Sequence, residues 1–109
     1  MKPSPGDDHH LWRFVTNHTL VLEAIVADPT VRLRDIAADV GITERTVSQI
    51  VDDLEKAGYL TRIPNGRRNS YEVHVEMPLR HPRYHHRNVG ELISFLEAPA
   101  KAATRRKRS

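Results

Sequence analysis

The sequence contains no cysteine, which excludes disulfide bonds, thiolate nucleophiles and cysteine-ligated zinc. It also has no apolar run that approaches the roughly 18 residues of a membrane-spanning helix. The N-terminal residues lack the apolar stretch of a secretory signal peptide, so we expect a cytoplasmic protein. Because nucleophile-elbow and phosphate-loop motifs are missing too, and no pair of carboxylates falls in an expected pocket, we predict no enzymatic activity and no cofactor.

Positive and negative charges balance in the middle of the chain, so neither sign is in excess there. The net charge of +3 combines −2 over residues 1–30, zero over residues 31–75 and +5 over residues 76–109. Net charge therefore does not by itself indicate a nucleic-acid-binding protein, and the function has to be inferred from the residue pattern.

The length of 109 residues suffices for one compact domain, which we expect over residues 11–98. Residues 1–10 combine Pro, Gly, Ser and Asp and predict a disordered leader. Residues 99–109 are basic, have no apolar face and predict a disordered tail that adds salt-sensitive attraction to phosphate.

The first predicted helix begins at Asn17 or Thr19, with Thr16 or Asn17 as its N-cap. It ends at Ala27, because the residue before the following proline disfavours helical angles. Residues 11–15 predict either a short strand or an extra helical turn, and the sequence leaves both open. The predicted inner face comprises Leu22, Ile25 and Val26, with Leu20 or Val21 beside them.

Two further helices flank a glycine. The second is predicted over Leu33–Val40 and ends at Gly41, a residue that adopts left-handed angles at low cost. The third is predicted over residues 43–57 and ends at Gly58. The apolar residues that recur at helical spacing in the third helix are Val47, Ile50, Val51 and Leu54.

A hairpin and a last helix complete the pattern. Residues 59–63 and 70–75 alternate apolar and polar side chains, and the loop at 64–69 contains an Asn-Gly turn signal. Residues 87–98 carry an apolar helical stripe. This order predicts a mainly α fold with a small antiparallel β-hairpin (α+β). The same order predicts a winged helix-turn-helix with a three-helix core, a wing and a C-terminal helix.

Three segments resemble a known family. They are Leu-Arg-Asp-Ile-Ala at 33–37, Gly-Ile-Thr-Glu-Arg-Thr-Val at 41–47 and Asp-Leu-Glu-Lys-Ala-Gly-Tyr-Leu at 53–60. Together they look like the core of winged-helix bacterial regulators of the MarR and ArsR type, a resemblance that covers about residues 17–75. It implies a homodimer that reads a two-fold symmetric DNA site, usually as a transcriptional repressor.

The third helix presents short polar and bidentate side chains opposite its apolar stripe, which suits the DNA major groove. Arg45 can reach guanine or a phosphate, and Gln49 can read adenine. The predicted DNA contacts of this helix are Thr43, Glu44, Arg45, Thr46, Ser48 and Gln49. The negative charges of Asp52, Asp53 and Glu55 would repel phosphate, so we expect this end of the helix to point away from the groove.

The wing, at residues 63–70, is expected to contact the DNA backbone or minor groove. Its candidate residues are Asn65, Arg67 and Arg68. Arg62 is a further candidate for backbone contact, and so is Arg34, because phosphates often approach the start of a helix.

The two ends of the predicted domain carry apolar side chains that favour a homodimer. The candidate interface residues are Trp12, Phe14, Val89, Leu92, Ile93 and Leu96. Packing of the last helix on its own domain is the open alternative.

The histidines near the last helix invite a metal site, since His81, His85 and His86 lie close to Glu91 in sequence. Adjacent histidines do not easily face one ion, so we expect surface histidines and no metal. Two alternative functions remain at this point. One is a winged helix that binds proteins, and the other is a sensor of a metal or a small molecule.

Overall fold

A computed structural model describes residues 13–96 of the chain. The leader predicted at 1–10, the tail predicted at 99–109 and Trp12 lie outside the described residues. The elements are α1 (Asn17–Ala27), α2 (Leu33–Val40), α3 (Glu44–Lys56), β1 (Leu60–Asn65), β2 (Arg68–Val73), a 3-10 turn (Pro82–Tyr84) and α4, which is helical over residues 89–96. No helix among the described residues is both long enough and apolar enough to cross a bilayer.

Hydroxyl side chains start the first and third helices. Thr16 Oγ1 accepts a hydrogen bond from the Thr19 amide at 3.2 Å, and α1 begins at Asn17 as predicted. Thr43 Oγ1 accepts from the Thr46 amide at 3.0 Å. Each hydroxyl satisfies one of the amides that a helix leaves unpaired at its first turn.

The turn between α2 and α3 is built on Gly41, whose φ of 89° lies in the left-handed region. The amides of Gly41 and Ile42 both donate to the Ala37 carbonyl, at 2.8 and 3.1 Å. The Ala37 side chain is itself buried in the core. The predicted helix, glycine turn and second helix are therefore confirmed.

The core lies between the three helices, the base of the hairpin and α4. As predicted, α1 turns Leu22 and Ile25 into the core with Val21 beside them, and the half-buried Val26 packs against it. The buried side chains are Val21, Leu22, Ile25, Ile36, Ala37, Val47, Ile50, Val51, Leu54, Tyr59, Leu60, Tyr71, Val89 and Ile93.

The strands of the hairpin lie closer to the turn than predicted, and the turn is tighter. Leu60–Asn65 pairs antiparallel with Arg68–Val73 along its whole length, so the loop predicted at 64–69 is wrong. Only Gly66 and Arg67 remain between the strands. Gly66 has a φ of 66°, and this positive angle lets a two-residue turn close the hairpin.

The segment after β2 folds back, and its residues bond to the start of α4. The Val89 amide donates to the Met77 carbonyl at 2.8 Å. Asn88 Oδ1 accepts from the Glu91 amide at 2.8 Å, and Glu91 Oε1 accepts from the Asn88 amide at 2.9 Å. This reciprocal capping box starts α4 at residue 89, two residues later than predicted.

The predicted end of the last helix, at residue 98, lies beyond the described part of the chain. The structure describes residues 13–15 of the segment before α1. They form a bend, so neither a strand nor a helical turn is present there.

Candidate nucleic-acid interface

The outer face of α3 is accessible because its apolar stripe is turned into the core. Val47, Ile50, Val51 and Leu54 are buried. On the other side Glu44, Arg45 and Gln49 are exposed, whereas Thr46 and Ser48 are half-buried. The structure thus brings the predicted contact residues of this helix to one surface.

Two of these residues also build the helix start. The hydroxyls of Thr43 and Thr46 lie 2.8 Å apart, and Thr43 Oγ1 also caps the Thr46 amide. Thr43 therefore holds the first turn of α3 in place, and its hydroxyl is already engaged inside the domain.

A basic groove of about 410 Å³ lies beside the start of α3. The loop before α2, the start of α2, the start of α3 and the wing all contribute to it. Its charged lining side chains are Arg32, Arg34, Arg67, Arg68 and a single carboxylate, Glu44. Arg34 and the wing arginines are more than thirty residues apart in sequence, so only the fold reveals that they share one groove. Positive charge in this excess suits a phosphate group.

The wing is attached to the loop between α1 and α2. The Tyr71 amide donates to the Pro29 carbonyl at 2.9 Å. A guanidinium nitrogen of Arg68 donates to the Thr30 carbonyl. Arg67 and Asn65 are exposed at the wing tip. These bonds hold the wing beside the start of α2, where its arginines complete the groove.

Arg62 is half-buried on β1 and pairs with two carboxylates of α3. Its Nη2 lies 2.7 Å from Asp52 Oδ1 and 3.2 Å from Glu55 Oε1, and its side chain is 28% exposed. Burial acts to lower the pKa of Arg62. The hydrogen bond to Asp52 and the charges of Glu55 and Asp52 together outweigh burial and raise this pKa above its usual value. The structure thus places Arg62, a predicted DNA contact, against two carboxylates of α3.

The third acidic side chain of α3 is paired as well. Asp53 Oδ2 lies 2.9 Å from His18 Nε2 on α1. The sequence pattern does not predict this pair, because the two residues are 35 positions apart in the chain. Asp52, Asp53 and Glu55 were expected to repel DNA. Each of these carboxylates therefore lies beside an arginine or a histidine of another element.

Residues 16–61 match the family model described as winged helix-turn-helix DNA-binding. Over this stretch the chain is similar to winged helix-turn-helix DNA-binding domains. The match runs from the N-cap of α1 to the start of β1, and the rest of the wing and α4 follow it in the chain.

Solved structures of two regulators share this winged helix-turn-helix fold. The PcaV transcriptional regulator of Streptomyces coelicolor, in complex with its natural ligand, has a TM-score of 0.50 and 24% identity, over 85% of this chain and 68% of its own. A second structure of PcaV has a TM-score of 0.50 and 25% identity, over 78% of this chain and 64% of its own.

MepR, a transcription regulator of the Staphylococcus aureus multidrug efflux pump MepA, has a TM-score of 0.52 and 15% identity, over 94% of this chain and 70% of its own. PcaV and MepR are MarR-family regulators, so the predicted MarR-like fold is confirmed. The matched family model describes a DNA-binding domain, and both neighbours are transcriptional regulators. A search of curated proteins finds no significant match.

The predicted dimer residues divide into three groups. Val89 and Ile93 are 6% and 2% exposed in the core of the winged helix-turn-helix domain, because α4 packs on its own chain. The expectation that these two residues line an interface is therefore wrong. Leu92 and Leu96 are half-buried, and Phe14 is 92% exposed. Trp12 lies outside the described residues.

One of the histidines after the wing, His81, stabilises local structure. His81 Nδ1 accepts from the Arg83 amide at 3.1 Å, and its ring centroid lies 5.8 Å from that of Tyr84. Within residues 13–96, no group of three histidine, aspartate or glutamate side chains is placed to hold a metal ion.

A second groove, of about 960 Å³, lies between α1, the end of α3 and the segment after the wing. Apolar side chains such as Leu22, Leu54 and Met77 line it. Lys56 and Arg80 supply positive charge. A groove of this kind is the feature that the alternative function, a sensor of a small molecule, would require.

Proposed function

We propose that this chain is a sequence-specific regulator of transcription that places α3 in the major groove of double-stranded DNA and the wing on the backbone or minor groove. The observation that carries the proposal is the continuity of two surfaces, the exposed face of α3 and the four-arginine groove beside it. A protein with this role needs no catalytic group, and it acts in the cytoplasm where the DNA is.

The face of α3 has the composition of a base-reading surface. Arg45 and Gln49 are four residues apart, so they lie one above the other on the helix and can address neighbouring base pairs. Arginine pairs bidentately with guanine and glutamine with adenine. Ser48 adds a short polar group between them.

The basic groove has the composition of a phosphate-binding surface. Arg34, Arg67 and Arg68 come from the start of α2 and from the wing. A DNA strand that follows the groove would fix the register of α3 without reading sequence itself. Binding through these contacts falls steeply as salt increases.

We further propose that the regulator is a homodimer and acts as a repressor. A two-fold dimer doubles the contacts on a palindromic site. Phe14 and Phe95 are 92% and 76% exposed, and Leu92 and Leu96 are half-buried, so apolar surface is present near both ends of the described chain. A repressor of this kind occludes a promoter when it is bound.

Selection of bound sequences from a random duplex pool tests the proposal. We expect the parent to enrich a palindromic site. On the selected duplex, Arg45→Ala/Gln49→Ala should lose about 1–3 kcal/mol of binding free energy for each base contact removed. The matched control is Arg87→Ala, because Arg87 is exposed and pairs with Glu91 on another surface. Equal affinity of the parent and the double variant would overturn the proposal and favour a protein-binding winged helix.

A further inference from the structure

The base-reading stripe of α3 continues into an acidic side chain. Asp52 follows Arg45 by seven residues and Gln49 by three, and these spacings place all three side chains on one helical face. The Asp52 side chain is 52% exposed, and that of Glu55, one turn further on, is 41% exposed. Uncompensated carboxylates at this position would meet the phosphates beside the groove that Arg45 enters.

Arg62 neutralises this pair of carboxylates from the wing. It occupies the third position of β1, and its Nη2 reaches Asp52 at 2.7 Å and Glu55 at 3.2 Å. Its Nε is buried and has no hydrogen-bond partner within residues 13–96. The side chain is therefore directed against α3, whereas the wing arginines Arg67 and Arg68 are exposed.

The same side chain fixes the base of the wing to α3. Arg62 stands opposite Tyr71 in the strand register, and the Tyr71 amide is bonded to the Pro29 carbonyl. The base of the hairpin is thus held on one side by α3 and on the other by the loop after α1.

We propose that Arg62 is a positioning residue for DNA binding, which masks the charges of Asp52 and Glu55 on the base-reading face and sets the wing against α3 without contacting DNA. The inference rests on the proposed DNA-binding function. It assigns to an arginine of the wing a role toward the protein's own carboxylates, where residue type alone suggests a contact with phosphate.

The proposal predicts that the effect of Arg62 on affinity depends on its two carboxylate partners. Arg62→Ala should weaken binding of the parent about tenfold, because two unmasked carboxylates then face the phosphates. In the background Asp52→Asn/Glu55→Gln, the same substitution should change affinity no more than Arg87→Ala does. Arg87→Ala measures the loss of one positive charge and one ion pair elsewhere on the surface.

The experiment measures the affinity of full-length variants for a labelled duplex of mixed sequence by fluorescence anisotropy at several salt concentrations, with circular dichroism to verify folding. If Arg62 contacts phosphate, Arg62→Ala will lower DNA affinity as much in the Asp52→Asn/Glu55→Gln background as in the parent. That result overturns the inference. If Arg62→Ala does not fold, Arg62→Gln in the neutral background gives the same decision. A parent that binds no duplex would refute the proposed function, which separates that failure from a failure of the role of Arg62.

Discussion

Gly90 lies where α4 crosses the end of the hairpin. A Cβ built on Gly90 would lie 2.8 Å from the Val75 Cβ and 3.0 Å from the Val75 carbonyl oxygen. The Gly90 amide donates to that same carbonyl at 2.9 Å, so the two backbones are held together. In the sequence this glycine lies beside the apolar helical stripe, and the reason for it becomes visible only when α4 is docked.

We expect Gly90→Ala to lower the free energy of unfolding by about 1–3 kcal/mol, because the added methyl must push a helix away from the backbone of its neighbour. Urea denaturation measures the change. Ser94→Ala is the control, since Ser94 is exposed on the same helix and its replacement should alter stability by less than about 0.5 kcal/mol. A Gly90→Ala protein as stable as the control would contradict this account of the crossing.

At the scale of elements, the helices follow rules that act within a few residues. α2 spans Leu33–Val40 as predicted, and Gly41 ends it with a left-handed angle. The hairpin was predicted less well. The Asn65-Gly66 signal is correct to one residue, but strand pairing extends around it and leaves Gly66 and Arg67 as the turn. Strand ends depend on the partner strand, so a local pattern locates them poorly.

Removal of the α3 cap should affect both stability and binding. Thr43→Ala leaves the Thr46 amide without its acceptor, and we expect a loss of about 1 kcal/mol in the free energy of unfolding. DNA affinity should fall as well, because the frayed turn carries Arg45.

Thr43→Ser retains the hydroxyl and is the matched control for the cap. Thermal unfolding and the affinity for the selected duplex should leave this variant close to the parent. If Thr43→Ser loses as much stability and affinity as Thr43→Ala, the methyl group and not the hydroxyl hydrogen bond matters at this position.

At the scale of the whole molecule, α4 divides its apolar residues between the core and the surface. Val89 and Ile93 are buried in their own domain, whereas Phe95 is 76% exposed. A single large apolar side chain contributes about 1.5–3 kcal/mol when a partner covers it. An interface of the proposed dimer that includes Phe95 would therefore explain its exposure on the described chain.

We expect Phe95→Asp to shift the protein from dimer to monomer in sedimentation velocity, since a carboxylate in an apolar interface is costly. Ser94→Asp introduces the same charge at the neighbouring exposed position and should leave the dimer intact. Identical sedimentation of the parent and Phe95→Asp would remove Phe95 from the proposed interface.

The sequence alone determined the helices of the domain, the left-handed turn at Gly41 and the identity of the polar face of α3. These features depend on helical period, capping and backbone freedom, which operate over three to four residues. Only the tertiary structure decided which charges meet. It paired Arg62 with Asp52 and Glu55, joined Arg34 to the wing arginines and placed Val89 and Ile93 in the core. Side chains far apart in the chain become neighbours only through packing, and for that reason the residue pattern alone did not reveal that Arg62 pairs with the helix beside it.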